Sequence, residues 1–320
     1  MKKQFITLSF MILILFSLSQ NIFSKQGEGG VTLPILNYVA GTRALGVGTA
    51  FTALADDVTS LYWNPAGLAR LTRQQVYAMY ERLYEGSNYW FGAYTIPFHN
   101  IGVFGVGLIY LNSGDIVGTG PNQEDLGIYD DTQSMVIISY GTPIQNIRNF
   151  QSRHLRFLDI GISMKIVKHA IYKYTSYGVA FDLGSRYVPS KTSKFLRNFI
   201  FGFALQNILP PESKLLSERE WYPLKLKLGV CYRTLFDTLF LTMDLNQILF
   251  REQTPELNFG IEYVALRLFR LRAGYKNGVS FGSGMEIEDF MFDYAANYNF
   301  DLGFVHQFSA SFKFGNRSYR

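Results

Sequence analysis

The stretch FMFDYAANYNFD, residues 290–301, sorts its side chains by parity. Phe290, Phe292, Tyr294, Ala296, Tyr298 and Phe300 form one set; Met291, Asp293, Ala295, Asn297, Asn299 and Asp301 form the other. Successive side chains of a strand point to opposite faces, whereas a helix would scatter both sets around its circumference. The period of two therefore predicts a strand with one apolar and one polar face.

The same alternation recurs on either side. Phe308, Ala310, Phe312 and Phe314 oppose Gln307, Ser309, Ser311 and Lys313. Leu224, Leu226, Leu228 and Val230 oppose Lys225, Lys227, Gly229 and Cys231, and Leu257, Phe259, Ile261 and Tyr263 oppose Asn258, Gly260 and Glu262. Counting from residue 74 gives about fourteen segments, each long enough for the roughly 9–11 residues of a tilted membrane strand. Their centres fall near residues 78, 92, 106, 137, 162, 180, 202, 228, 242, 260, 272, 283, 295 and 309. From Gly86 to Gly114 no charged residue appears, a length that could span a bilayer as a helix. Pro97, His99 and Asn100 at its centre break a helix and make a turn, so two strands are expected there.

Composition points the same way. Mean hydropathy is near zero, yet aromatic residues make up 16% of the chain, with 28 Phe and 21 Tyr. A soluble sandwich or propeller would alternate too, but it needs no such excess of rings, and no fixed repeat period is present. A transmembrane barrel uses rings on its lipid face and at both interfaces. The expected fold is all-β: an antiparallel transmembrane β-barrel of about fourteen strands across 71–315, with lipid as its surroundings and residues 316–320 as a tail. The single cysteine, Cys231, excludes an internal disulfide, and the net charge of +5 without dense basic runs gives no sign of nucleic-acid binding.

Lys2 and Lys3, the apolar run Phe5–Leu18 and the small residues Ser17, Ser19 and Ser24 have the three-part layout of a signal peptide over residues 1–24. Together with the strand pattern this predicts the outer membrane of a diderm bacterium. Residues 25–70 do not alternate and are rich in small residues: Gly41, Ala44, Gly46, Gly48, Ala50, Ala53 and Ala55. Small residues permit close backbone packing in a confined space, so this segment is expected inside the barrel as a hatch. Gly46-Val47-Gly48 is not a nucleotide-binding loop, since Phe51 stands where the third glycine belongs and no Gly-Lys-Ser/Thr follows.

Polar faces pointing into the lumen would bring together charges of both signs: Lys225, Lys227, Arg270 and Arg272 with Glu286, Glu288 and Asp293. Pairing across the wall is the expected role. The histidines His99, His154, His169 and His306 are isolated, with no metal spacing and no nucleophile motif, so no enzyme, cofactor or metal is expected.

The run GTRALGVGTAFTALADDVTSLYWNPAGLA, residues 41–69, resembles the N-terminal region of outer-membrane barrels of the FadL superfamily, in its PorV/PorQ-like branch. The C-terminal DLGFVHQFSASFKFG, from Asp301, is similar to that branch's ending, although this chain runs on past Phe314. The resemblance implies a hatch motif at Asn64, Pro65, Ala66 and Gly67, with Asp56 and Asp57 capping a helix or bonding the hatch to the lumen. It also implies two functions: passive transport of small hydrophobic compounds, or reception of secreted cargo proteins from a type IX secretion machine. A purely structural barrel is the third reading. Outer loops at 113–132 and 209–222 would form the mouth, with Tyr129, Trp221 and Tyr222 as candidate lining residues.

Overall fold

A computed structural model describes residues 34–119, 124–147, 155–189, 196–208, 212–215, 218–221, 223–234, 237–249, 254–300 and 303–316. The signal-peptide stretch 1–24 and the start of the 25–70 segment lie outside the described residues, as do His154, Tyr222 and most of the 316–320 tail.

Fourteen strands close an antiparallel barrel. They are β1 (Gln74–Arg82), β2 (Asn88–Phe98), β3 (Gly102–Thr119), β4 (Asp125–Pro143), β5 (Leu158–Ile171), β6 (Tyr174–Tyr187) and β7 (Phe199–Ile208), then β10 (Lys225–Thr234), β11 (Leu239–Ile248), β12 (Glu256–Ala265), β13 (Phe269–Tyr275), β14 (Gly278–Ile287), β15 (Phe290–Asn299) and β16 (Gly303–Phe314). Each predicted centre falls within one of them. The ring closes where β1 pairs with β16, from Gln74↔Phe314 to Arg82↔His306. Closure leaves no open edge, which is the condition for strands to lie in hydrocarbon. Among the described residues no helix is long and apolar enough to cross a membrane.

The charge-free stretch 86–114 does split into β2 and β3, joined by a turn in which Asn100 takes φ 58°. Asn is among the few residues that adopt this left-handed conformation readily. Asn277-Gly278 turns β13 into β14 by the same means, with φ 46° and 155°.

Sidedness follows the pleat. Leu108, Leu228, Leu271, Phe281, Phe292 and Phe308 are exposed on the outer wall, while Lys227, Glu262, Arg272, Asp293 and Gln307 are buried inside. An apolar belt outside and polar groups inside make this a bilayer-spanning wall of the outer-membrane type. The inner face is not uniformly polar, contrary to expectation. Tyr89, Phe91, Ile109, Leu111, Met135 and Ile137 also point inward and are fully buried, because they pack on chain inside the barrel rather than on water.

The expected loops at 113–132 and 209–222 are largely strand. β3 and β4 stay paired out to Thr119↔Asp125, past the last residues paired to their outer neighbours at Asn112 and Asp131. The outermost part of this hairpin is thus a two-stranded ribbon reaching roughly 20 Å past its neighbouring strands at ~3.3 Å per residue. The Gly and Asp content of this stretch led to the loop reading, whereas its backbone is paired as strand with two register shifts. β8 (Glu212–Leu215) and β9 (Glu218–Trp221) form a second, separate two-stranded ribbon.

Candidate functional site: the occupied lumen

Residues 34–71 run through the barrel interior. The segment has little regular structure, only the short helical turns Pro34–Leu36, Thr42–Gly46, Ser60–Trp63 and Pro65–Arg70. Buried backbone groups outside a ladder need other partners, and wall side chains supply them. Asp244 of β11 accepts from the amides of Phe51 and Thr52 at 3.0 and 2.8 Å. Thr242 donates to the Ala50 carbonyl, Arg186 to Ala53, Ser163 to Leu61, and Gln206 to both Tyr62 and Trp63.

Asn64 is the pivot of the NPAG motif. Its side-chain oxygen accepts from the Ala66 amide at 3.2 Å, capping the turn that Pro65 begins. Its amide nitrogen donates to Thr52 within the segment at 2.8 Å and to Ser185 of the wall at 3.1 Å. Trp63 just before it donates to the Ala40 carbonyl, and Tyr62 to those of Leu36 and Tyr38, which folds the segment onto itself.

The segment also lies against a track of inward-facing wall glycines. A Cβ built on Gly161 would fall 2.3 Å from the Pro65 carbonyl carbon, one on Gly202 2.4 Å from the Thr52 oxygen, and one on Gly260 2.4 Å from the Val47 oxygen. Gly141, Gly184, Gly229 and Gly274 meet the segment as closely. Even one methyl group at these places would force the two backbones apart. The sequence reading found the small residues of the segment but missed their counterparts on the wall. The signal available was a glycine on the polar face of one predicted strand after another.

The charges divide the lumen. On the β12–β16 side, Arg43 of the inner segment grips Glu262 with both Nε and Nη2 at 2.8 Å and reaches Asp56 at 2.5 Å and Asp57 at 3.1 Å. Arg272 then joins Glu262 at 2.7 Å to Asp293 at 2.6 Å. Arg270 and Lys313 share Glu286. Between these groups, beside Gln75 and Thr59, lies a polar cavity of about 220 Å³. Burial opposes the Arg43 charge, but Glu262, Asp56 and Asp57 outweigh it and hold the guanidinium more firmly protonated than usual. For Asp56, burial is overcome by Arg43 and Arg186, and its carboxyl falls below its usual range.

The other residues singled out from sequence are placed differently. Glu288 is exposed in the turn between β14 and β15 and lines no lumen. Among the described residues Lys225 and Lys227 form no ion pair. Lys225 donates to Asn37 and the Leu36 carbonyl, and Lys227 sits 4.4 Å above the Trp63 ring. Both contact the inner segment, not the acidic strands. Sequence did not mark the pair Lys165–Asp182, buried at 2.6 Å beneath Tyr62. Tyr129 lies on the outermost part of β4 with its ring 5.5 Å from that of Tyr172; Trp221 ends β9. His99 is in the β2–β3 turn, His169 pairs with Asp131 at 2.8 Å, and His306 sits 2.9 Å from the Tyr294 hydroxyl on the outer wall.

Along β2–β4 the lumen lining is largely apolar. Tyr89, Phe91, Ile109, Leu111, Met135 and Ile137 of β2–β4 share one buried cluster with Ile35, Leu54, Leu61 and Leu68 of the segment.

No family model and no curated protein matches the sequence. Solved structures do match the fold. A TodX monoaromatic hydrocarbon channel variant superimposes with a TM-score of 0.63 at 12% identity, covering 88% of this chain and 100% of that one. The CymD monoaromatic hydrocarbon channel gives 0.60 at 12%, covering 86% and 98%. A FadL homologue from Pseudomonas aeruginosa gives 0.55 at 11%, over the same shares. The chain shares its barrel fold with these solved outer-membrane proteins.

Proposed function

We propose that this chain lets small hydrophobic compounds cross the outer membrane by diffusion, with residues 25–70 as a movable hatch. The observation that carries the reading is the divided lumen. An apolar compound meets an apolar lane along β2–β4, covered by apolar side chains of the hatch such as Ile35, Leu54, Leu61 and Leu68. The hatch in turn is held to β12 by Arg43 on Glu262. Shifting it off the lane exposes apolar wall without unpairing the buried charges of β12–β15. The hydrocarbon chemistry of TodX and CymD agrees with such a lane. Nothing in the reading requires an energy source.

The test is uptake of a labelled monoaromatic hydrocarbon by cells with and without the gene. A fall in uptake that is restored by the wild-type gene supports the proposal. Unchanged uptake together with loss of particular secreted proteins would replace it with the PorV/PorQ-like reading, reception of cargo from a type IX machine. The feature favouring that second reading is the β3–β4 ribbon, which projects past the residues paired to β2 and β5 and so offers a surface to another protein.

A further inference from the structure

The outer wall carries a groove of about 710 Å³ at the seam where the barrel closes. Its floor is made by small outward residues, Ala78 on β1, Ala310 on β16 and Ser283 on β14, and Ala78 pairs directly with Ala310. Its sides are rings: Tyr80, Trp90, Phe292 and Phe308. The small floor residues leave the wall recessed between these rings.

The upper end of the groove differs from its floor. Arg82 and His306 face each other across the seam, one step outward from the Tyr80↔Phe308 pair. Two residues of strand place them roughly 7 Å above the rings. Both are exposed on the outside of the barrel, and among the described residues Arg82 makes no ion pair. The Tyr80 hydroxyl donates to Asn88 at 2.8 Å and the Tyr294 hydroxyl lies 2.9 Å from His306 Nδ1. Tyrosines with apolar bodies below and hydroxyls bonded above mark the level of lipid head groups.

We propose that this groove holds one membrane lipid with an anionic, phosphate-bearing head group. Its acyl chain lies over Ala78 and Ala310, and its phosphate sits between Arg82 and His306. Position selects the occupant: a recess in the lipid-facing belt meets hydrocarbon, and a basic pair at its head-group end attracts a negative head. A second copy of the chain would need a flat complementary face, not a slot walled by rings.

Native mass spectrometry of the detergent-solubilised barrel tests this with phosphatidylglycerol and phosphatidylcholine of identical chains. Wild type should retain the anionic lipid about fivefold better than the zwitterionic one, the effect of a basic residue near the head group. R82Q combined with H306Q should abolish the preference, and A310W should lose both lipids. A78F is a second filling variant should A310W not fold, with folding checked by heat-modifiable gel migration. Equal retention of the two lipids by wild type would overturn the proposal. So would undiminished binding in a folded filled variant, or a dimer that A310W dissociates.

Discussion

Gly48 of the inner segment and Gly274 of β13 touch backbone to backbone, and a Cβ on Gly274 would lie 2.0 Å from the Gly48 nitrogen. Gly48 itself takes φ 60°, so both positions exclude a side chain, one for space and one for conformation as well. Gly274→Val should therefore leave the barrel folded and lift the segment off the wall. Planar-bilayer recording would show this as raised ion conductance. Conductance equal to wild type would mean that the segment is not held by this contact.

Arg43 ties the inner segment to the charged strands β12–β15, as Arg70 ties its far end to Asp159 of β5. Arg43→Ala leaves Glu262 buried but still paired with Arg272, so docking of the segment should weaken by less than the roughly 3–5 kcal/mol of a fully unpaired buried charge. A double-mutant cycle with Glu262→Gln, read by urea unfolding in vesicles, measures the coupling. Independent, additive effects would show that the two do not act together.

Acid should loosen the same contact. The Asp56 carboxyl has a pKa below its usual 3.8 when docked, so its contribution is complete above that value and fades as pH falls through the lowered docked value. Its side chain keeps 38% exposure, which screens the pairing and makes the effect modest. Conductance should be flat from pH 7 down to roughly 4 and rise below. Asp56→Asn should start higher at neutral pH and respond less to acid.

Lys227 and Leu228 are neighbours with opposite surroundings, one buried in the lumen and one facing lipid. Leu228→Arg should destabilise the folded barrel by about 2–4 kcal/mol, the cost of a charge near the bilayer midplane. Lys227→Met should disturb only the contact with Trp63. Denaturant midpoints in lipid vesicles compare the two. A tolerated Leu228→Arg would contradict the sidedness of the whole wall.

The wall was legible because parity sorts the side chains of a strand, as in β15, where Phe290, Phe292 and Tyr294 are exposed and Asp293 is buried. The two-strand reading of 86–114 rested instead on Pro97, His99 and Asn100, which break the helix that hydropathy alone would allow. Parity failed where inward residues meet protein instead of water. Tyr89, Phe91 and Ile109 are apolar on the inner face, which no local pattern distinguishes from a lipid face. The ion pairs were legible only in part. Arg272 and Asp293 lie on strands two apart, near enough for the long guanidinium to bridge. Lys225 and Lys227 take their partners from a segment almost two hundred residues earlier, and that depends on how the segment threads the lumen.

Because Gln74 begins the strand that pairs with the final one, and Leu71 is still buried among lumen residues, only a few links of backbone connect the plugged interior to the seam. With so little slack, the point at which the segment enters the lumen is fixed beside the closing strand pair, and its alignment against the glycine-bearing strands is measured from that anchor.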